Sequence, residues 1–467
     1  MKDVKESPQA DVVVLGAGLA GLCAARAAAE SGASVMLLEK SAGPGGSTLM
    51  SAGSFALAGT DLQAAAGVKD TPDGLEAELH KVAGGKADPA LVRLYVEQQA
   101  DAYEWLKRQG VVFHKVSLSS GTAVPRTHPT DPRQLIEALQ ARVRETRAIA
   151  LATGAAATRL LVDGDPRRVV GVEYTHEGRT AVVRTGGVVI ATGGFTRNRD
   201  LVQKFAPELA QAPAWGGEGN TGDGLTMAWE LGADLVDMGY VTGTFGVAIN
   251  HYPEVDVRKG DELLLRMAMY RGGIAVNLDG KRFADESQSY KVLATRCLAQ
   301  PKAIAFQVFD QSVMNQSAPV PTVNDLKGAL AKGAIRQADT LRELAQQVGL
   351  DPQALESTVA RYNELVRQGE DVDFGRKTLG GGFGTPVLLE TPPWYILPCS
   401  AALLSTYCGL RVDTAMRVQD VRHRTIARLY AAGEVVGGFH GAGYMSGSSL
   451  GKAVIFGRIA GRSAAAA

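Results

Sequence analysis

Residues Asp11–Lys40 read DVVVLGAGLAGLCAARAAAESGASVMLLEK, and this stretch decides the fold. Four apolar residues, 12–15, run into the glycine pattern Gly16-x-Gly18-x-x-Gly21 and an alanine-rich segment. A second apolar run, 35–38, stops at Glu39. The pattern predicts a strand, a tight turn, a helix and a parallel strand, which together form the unit that binds the ADP half of a dinucleotide.

Each of the three glycines in this unit, and the acid that ends it, has a physical task. Gly16 permits the tight turn, Gly18 lets the backbone approach a pyrophosphate at the helix N-terminus, and Gly21 allows close packing of helix on strand. Glu39 follows about 20 residues later, where an acid meets the adenosine ribose. A buried strand–helix turn without a ligand is the alternative, and the agreement of strands, helix and acid favours the ligand.

Composition limits the classes of protein. A chain of 467 residues exceeds one ordinary core, so two or three domains are expected. With 49 basic and 49 acidic residues, nothing indicates a nucleic-acid partner or an anionic membrane surface. The four cysteines form no CxxC pattern, so we expect no metal site, and few unpaired cysteines fit a reducing cytoplasm.

Targeting and membrane segments are also not expected. The N-terminus MKDVKESPQA is polar and lacks the apolar core of a signal peptide. Residues 12–29 are apolar, but their glycines and Arg26 fit a dinucleotide fold better than a membrane span. A cytoplasmic enzyme without a membrane span is therefore the expectation.

The pattern along the chain predicts an α/β protein with a Rossmann-like domain interrupted by an inserted α+β domain. Asp88-Pro89 and Asp131-Pro132 each predict a helix start, and short β-rich runs fill residues 148–190. Helical runs dominate from about 247 to 400, before dinucleotide-domain character returns. The expected domains are therefore 1–246 and 401–467 as the two parts of the cofactor domain, and 247–400 as a second domain inserted between them.

Six segments in a specific order carry a family resemblance: GAGLAG, EK with GGST, IATGGF, GNTGDG, RGGIAVNLDGKRFADES and LYAAGE. Together they resemble the flavoprotein subunit of the fumarate reductase and succinate dehydrogenase superfamily. That superfamily also holds 3-ketosteroid dehydrogenases, urocanate reductases and L-aspartate oxidases. The resemblance implies FAD, bound in a discontinuous domain, and it implies that the inserted domain, 247–400, is a capping, catalytic domain.

The sequence agrees with FAD as the cofactor. Residues 191–194 (ATGG) do not supply a second GxGxxG, which an internal NADPH site would need. Relatives with covalent FAD carry a His after the EK motif, whereas Gly46-Ser47-Thr48-Leu49 has none, so we expect non-covalent FAD. The last helix would point its N-terminus at the flavin. The expected FAD-binding residues are Gly16, Gly18, Ala20, Gly21, Glu39, Lys40, Gly45, Gly46, Ser47, Thr48, Ala156, Thr192, Gly193, Gly194, Asn220, Gly222, Asp223, Gly433, Glu434, Ser449 and Leu450.

At the positions where the family's fumarate reductases have charged substrate-binding residues, this chain has uncharged ones. Fumarate reductases clamp a dicarboxylate with His and Arg and use another Arg as proton donor. The matching positions hold Tyr290 for the donor Arg, Tyr444 for the clamp Arg and Ser405 for the clamp His, while Gly243-Thr244-Phe245 replaces an HPT motif. This pattern is similar to the ketosteroid dehydrogenases.

The resemblance therefore implies desaturation of a cyclic or steroid-like ketone beside its carbonyl, with an external electron acceptor. Flavin N5 takes a hydride, and Tyr290 takes the α-proton, although a free tyrosine pKa of about 10 must be lowered or bypassed by a relay. Tyr444 and the N–H groups near Gly447 would stabilise the enolate, with Ser446 in support. The expected substrate-binding residues are Arg126, His128, Phe245 and Ser405.

Other interpretations stay open. Tyrosines on loops are often half-buried packing residues. Arg126 and His128 are either surface residues or ligands of a substrate carboxylate, which would favour a keto acid. The main alternative function is reduction of an activated C=C bond, as in fumarate or urocanate reductases, with an external electron donor. A non-catalytic flavoprotein is the third class.

Overall fold

The structure is a computed structural model that describes residues 8–119, 121–164, 168–241, 243–258, 260–319, 322–382 and 384–467. Residues 1–7 belong to the polar N-terminus in which no signal peptide is expected, and they lie outside these ranges. The chain divides into two compact units. The first contains Met1–Pro207, Gly216–Val241 and Ser405–Ala467, and the second contains Glu208–Trp215 and Thr242–Leu404. The expected domain boundaries after residues 246 and 400 stay predictions, since compact units need not be separate domains.

Strands and helices alternate through most of the described chain. The strands are β1 Gln9–Leu15, β2 Val35–Glu39, β3 Ser54–Ala56, β4 Thr127–Pro129, β5 Ile149–Thr153, β6 Ala155–Asp163, β7 Arg168–His176, β8 Arg179–Ile190, β9 Leu235–Val236, β10 Thr244–Ala248, β11 Ile274–Val276, β12 Ala305–Asp310, β13 Arg336–Ala338, β14 Trp394–Ala402, β15 Gly409–Leu410, β16 Arg417–Gln419 and β17 Thr425–Ala431. The α-helices are α1 Leu19–Glu30, α2 Asp61–Ala65, α3 Pro72–Val82, α4 Pro89–Arg108, α5 Pro132–Glu145, α6 Arg199–Phe205, α7 Asp223–Glu230, α8 Tyr290–Leu298, α9 Gln311–Met314, α10 Leu326–Ala331, α11 Leu341–Gln347, α12 Pro352–Gln368 and α13 Ser448–Ala465.

The first unit is built on a sheet with the order β16-β17-β7-β8-β1-β2-β5, with β6 paired to β7. Strand β1 pairs in parallel with β2, Val12 opposite Val35, and in parallel with β8 on its other side. This confirms the predicted strand–turn–helix–strand unit. The predicted helix starts are also confirmed, because Asp88 and Asp131 cap α4 and α5 with their carboxylates.

Helix α13 packs against α1 through glycines. A Cβ atom on Gly457 would lie 2.5 Å from the Ala20 carbonyl oxygen, and one on Gly461 would lie 2.1 Å from the Ala24 carbonyl oxygen. The two helix backbones therefore approach closely only because these side chains are absent. This contact fixes α13, and with it the helix start at Ser448, relative to the glycine turn before α1.

The second unit contains an antiparallel sheet with the order β10-β14-β12-β11 and with β13 paired to β14. The helical runs expected between about 247 and 400 include three that the structure contains as α10, α11 and α12. Sequence patterns did not locate the strands of this sheet. All six residues of β12 are buried, so its sequence lacks the alternation that marks a half-exposed strand.

Candidate active site

The predicted cofactor loops come together at the carboxyl ends of strands in the first unit. Glu39, at the end of β2, accepts hydrogen bonds from the backbone N–H groups of Ala17 (2.8 Å) and Ser41 (2.8 Å). Gly45 donates its N–H to the Ala17 carbonyl at 3.0 Å. The glycine turn, the acid and the start of the GGST loop therefore form one local structure, as the βαβ pattern predicts.

The three glycines of the first motif have different surroundings. Gly16 adopts φ +95°, and a Cβ there would lie 2.5 Å from the Ala191 carbonyl oxygen. A Cβ on Gly21 would lie 1.8 Å from the Gly16 carbonyl oxygen. At Gly18, by contrast, the nearest protein atom lies 3.9 Å away. The fold itself requires Gly16 and Gly21 but leaves room for a side chain at Gly18, where the motif expects a pyrophosphate.

Unpartnered buried atoms near these loops also fit a bound dinucleotide. Thr192 Oγ1 and Asn220 Oδ1 are buried and have no hydrogen-bond partner within the described residues. Buried polar atoms are normally hydrogen-bonded, so these two call for a partner from outside the chain. With the room for a side chain at Gly18, they show that the first unit fits FAD.

The predicted GNTGDG motif, residues 219–224, and Gly217 just before it are tied to the EK and GGST loops. The Lys40 ammonium forms an ion pair with Asp223 at 2.6 Å and donates to Thr221. Ser47 Oγ accepts a hydrogen bond from the Gly217 N–H at 3.1 Å. Residues 170 to 183 positions apart in sequence therefore line one set of loops.

Glu434 is the centre of a hydrogen-bond network in this region. Its carboxylate accepts from Asn220 Nδ2 (3.1 Å) and from the backbone N–H (2.8 Å) and hydroxyl (3.2 Å) of Thr406. Burial raises the pKa of Glu434, and the Lys452 ammonium acts in the opposite direction. Lys452 is itself buried and donates to the Val436 carbonyl at 2.8 Å, and burial lowers its pKa to about 8.

The remaining predicted FAD residues lie on the same elements. Gly433 has φ +80° and packs on Ala20, while Gly222 is the left-handed cap of α7. Ala156 lies on β6, and Ser449 and Leu450 form the first turn of α13. Gly46, Thr48, Gly193 and Gly194 lie in the loops that contain Ser47 and Thr192. Their individual contacts with FAD stay predictions.

A cluster of aromatic rings surrounds the predicted substrate loop of the first unit. The rings of Tyr407 and Tyr444 are stacked, with centroids 5.1 Å apart and planes at 17°. The His440 ring lies 5.0 Å from Tyr407 and 5.5 Å from Tyr444. Residues 435–451 contain no Lys, Arg, Asp or Glu. This part of the unit therefore presents aromatic and hydroxyl groups rather than fixed charges.

The hydroxyl group of Tyr444 lies over the N-terminus of α13. It accepts a hydrogen bond from the Gly447 N–H at 3.3 Å, and it also interacts with the backbone and side chain of Ser449. Burial and the neighbouring Tyr407 raise the pKa of Tyr444 to about 12. Tyr444 is therefore protonated at neutral pH and can donate a hydrogen bond. The Gly447 N–H supports this phenol, and Ser446 lies partly buried beside it.

Tyr290, in the second unit, is the first residue of α8 and packs partly buried against the apolar core of that unit. A buried ion-pair network precedes it in sequence. Glu286 accepts from Arg282 at 2.7 Å and from Arg376 at 3.3 Å, and its side chain is 0% exposed. The RFADE motif therefore has a structural task, which is to anchor the segment that leads into α8.

Arg126 and His128 have protein partners for their polar groups. The Arg126 guanidinium donates to both oxygens of Asp70, at 2.8 and 2.7 Å, and forms a second ion pair with Glu78. His128 contacts Thr60 Oγ1 at 2.7 Å and the Arg126 carbonyl at 2.7 Å, and burial lowers its pKa. A substrate carboxylate would have to compete with two carboxylates for Arg126.

Two predicted substrate residues have contrasting surroundings. Phe245 is 0% exposed and belongs to the apolar core of the second unit, which leaves its ring no free face. Ser405 is partly exposed and its hydroxyl bonds to Tyr407. Sequence patterns missed Thr406 and Tyr407, although both directly follow the position that had been matched to the clamp His.

Other classes of site find no support in the described residues. No group of three His, Cys, Asp or Glu side chains there could hold a metal ion. All four cysteines are buried and form no disulfide. Across the described helices, none combines the length and apolar character needed to cross a bilayer.

Comparison with known proteins places these features in a family. The sequence model of a family described as FAD binding domain matches residues 11–450. The chain is 33% identical to the fumarate reductase (cytochrome) of Shewanella frigidimarina over 476 residues, 97% of this chain and 77% of that protein. It is 30% identical to the urocanate reductase of Eggerthella lenta over 483 residues, 100% of this chain and 77% of that protein.

Solved structures give the same result. The open conformation of a flavocytochrome c3 fumarate reductase matches with a TM-score of 0.86 at 29% identity, over 99% of this chain and 79% of that one. A 3-ketosteroid-Δ4-(5α)-dehydrogenase from Rhodococcus jostii RHA1 matches with a TM-score of 0.77 at 27% identity, over 99% and 98%. The FAD cofactor and the mixed α/β fold predicted from the sequence are therefore confirmed. The chain belongs to the FAD-binding family of the fumarate reductase and succinate dehydrogenase flavoprotein superfamily, and it is an FAD-dependent oxidoreductase acting on CH–CH groups.

Proposed function

We propose that this protein is a dehydrogenase that introduces a C=C bond beside the carbonyl of a cyclic or steroid-like ketone. The single observation that carries the proposal is the aromatic cluster of Tyr407, His440 and Tyr444, the last two in a segment, 435–451, without Lys, Arg, Asp or Glu. A dicarboxylate substrate would need cationic partners, and a neutral ring would not.

Tyr444 is the proposed donor to the ketone oxygen. Its pKa of about 12 keeps the phenol protonated, so it serves as a hydrogen-bond donor and not as a base. The Gly447 N–H donates to the phenol oxygen of Tyr444 at 3.3 Å, so the start of α13 orients the phenol. Donors aimed at an oxygen that becomes an enolate stabilise the transition state most.

Tyr290 is the proposed acceptor of the α-proton. It occupies the first position of α8, capped by Ser289, on a segment anchored by the Glu286 ion pairs. Bound FAD, held without a covalent bond, supplies the hydride acceptor, and an external electron acceptor completes the cycle. Of the four expected substrate residues we retain Ser405, through its bond to Tyr407, and leave out Phe245, Arg126 and His128 because the described side chains already engage them.

Reduction of an activated C=C bond is the second candidate. The similarity to a fumarate reductase at 33% identity and to a urocanate reductase at 30% identity favours it. It requires an electron donor in place of the acceptor. Tyr444 would keep its role as hydrogen-bond donor. Tyr290 would give a proton to the substrate instead of taking one, because the proton acceptor of a desaturation is the proton donor of the reverse reaction.

An anaerobic spectral screen tests the proposal. Oxidised holoenzyme is mixed with saturated ketones, from cyclohexanone to a 5α-3-oxosteroid, and dye-reduced holoenzyme is mixed with fumarate and urocanate. Bleaching of the flavin by a ketone, lost by at least about 100-fold in Tyr444→Phe and Tyr290→Phe with FAD retained, is the expected result. Rapid reoxidation by fumarate or urocanate without any ketone response would establish the second candidate instead. Full activity of both variants would remove the tyrosines from the mechanism.

A further inference from the structure

Lys291 lies beside Tyr290 at the start of α8. Its side chain is partly buried, and its amino nitrogen donates to Thr244 Oγ1 at 2.8 Å. The same nitrogen lies 5.2 Å from the centre of the Tyr290 ring. Thr244 is buried on β10, which packs against α8. The lysine amino group is therefore held by a strand hydroxyl and lies over the ring of the tyrosine to which the proposed function assigns the proton.

Tyr290 needs such a neighbour. A phenol with an ordinary pKa of about 10 is a poor base near neutral pH unless its proton can be passed on. A lysine amine on a flexible four-carbon stem can reach a hydroxyl on either side and changes its pKa readily when buried. Burial lowers the pKa of Lys291 to about 7, so this amine both accepts and releases protons close to neutrality.

We propose that Lys291 relays the substrate's α-proton to and from the Tyr290 hydroxyl, with Thr244 holding its amino group in place. The proposal rests on the proposed function and extends it by one residue. In desaturation, the α C–H bond breaks as Tyr290 takes that proton and passes its own phenolic proton to the Lys291 amine. The C=C bond forms as the β C–H bond breaks, and FAD, when bound, would accept the β-hydrogen as hydride. Lys291 then releases the proton to water. Lys291 acts through Tyr290 and is a positioning residue for proton transfer.

Other titratable groups around α8 do not offer the same behaviour. Strand β14 contributes Tyr395 and Cys399, and α8 itself carries Cys297, but burial raises the pKa of each of these three groups. Tyr270, whose hydroxyl donates to the Gln288 carbonyl at 2.8 Å, also has its pKa raised by burial. The nearby cations are Arg296 on α8 and Lys302 in the following turn, and β10 carries no titratable side chain.

The test compares Lys291→Met, Lys291→Arg and Tyr290→Phe holoenzymes in anaerobic single turnovers across pH. Wild type should lose turnover in the ketone direction as pH falls through about 7, because the relay then starts protonated. Both lysine variants should lose at least about 100-fold and lack this pH limb. Arg fails for a specific reason, since it keeps the charge but cannot release a proton. Exposed Lys281, changed to Met, is the matched control and should leave rate and pH profile unchanged.

Each outcome bears on the relay through Lys291, on the proposed function, or on both. If Lys291→Arg keeps wild-type turnover, or if Lys291→Met keeps the pH limb, the relay is overturned while the proposed function stands. A fully active Tyr290→Phe overturns both the proton role of Tyr290 and the relay through it. If no ketone, enone or dicarboxylate changes the flavin spectrum of wild type, the proposed function fails and the relay fails with it.

Discussion

Replacement of Gly18 by alanine should affect protein stability and FAD affinity differently. The nearest protein atom to a Cβ at this position lies 3.9 Å away, and the backbone is extended with φ −71°. The apoprotein should therefore lose only about 1 kcal/mol or less, which is the difference between glycine and alanine at a helix N-cap. Gly16→Ala and Gly21→Ala meet backbone atoms at 2.5 and 1.8 Å and should damage the fold itself.

FAD binding should respond quite differently to Gly18→Ala. A methyl group placed where a pyrophosphate approaches the backbone is an overpacking of about 1–3 kcal/mol. Because 1.4 kcal/mol corresponds to tenfold in Kd, the expected loss of FAD affinity is about 5- to 150-fold.

Flavin-fluorescence titration of the apoprotein measures that Kd, and thermal unfolding of the same apoprotein measures the fold. Gly239→Ala is the matched control, since Gly239 is exposed and no protein atom lies within 4 Å of its Cβ position. Unchanged FAD affinity in Gly18→Ala would refute the assignment of this space to the cofactor. Loss of the apoprotein fold would refute the claim that the protein leaves that space free.

Two further substitutions test buried charges. Glu286→Gln leaves two buried guanidinium groups, Arg282 and Arg376, without their shared carboxylate. It should lower the free energy of unfolding, measured with denaturant, by about 3–5 kcal/mol. The control is Glu364→Gln, which removes the exposed ion-pair partner of Arg361 and should cost about 1 kcal/mol or less. Burial lowers the pKa of Lys452 from 10.5 to about 8. Between these two pH values the lysine is protonated in the unfolded chain and neutral in the folded one, so the stability of the folded state rises with pH. Wild type should therefore gain stability relative to Lys452→Met as pH rises from about 8 to 10.5. A stability difference between Lys452→Met and wild type that is constant over this range would contradict the assigned burial.

The first unit was predictable because its signals are local. The spacing of Gly16, Gly18 and Gly21 imposes a turn, and the Asp-Pro pairs impose helix starts, without reference to distant residues. Order along the chain also identified the loops that contain Lys40, Asn220 and Glu434. Their hydrogen bonds to one another depend on the sheet, which brings together segments that are far apart in sequence.

Residues without a local signal were not predictable. Strand β12, with the sequence AFQVFD, is buried throughout, so its polar and apolar residues do not alternate. Arg126 resembled a substrate ligand in sequence, but its partners Asp70 and Glu78 lie 48 to 56 positions earlier and are apparent only in the fold. Lys291 adjoins a predicted catalytic residue, yet nothing in the sequence reveals that Thr244 holds its amino group.

The most direct test of the central claim is to identify the product of one anaerobic turnover. Oxidised holoenzyme is mixed with a saturated 3-oxo-5α-steroid deuterated at the carbons next to the ketone, and the product is analysed by mass spectrometry. We predict an α,β-unsaturated ketone that forms in step with flavin bleaching, with the α-deuteron released to solvent in wild type and not in Tyr290→Phe. An unchanged steroid, together with conversion of fumarate to succinate by the dye-reduced enzyme, would contradict it.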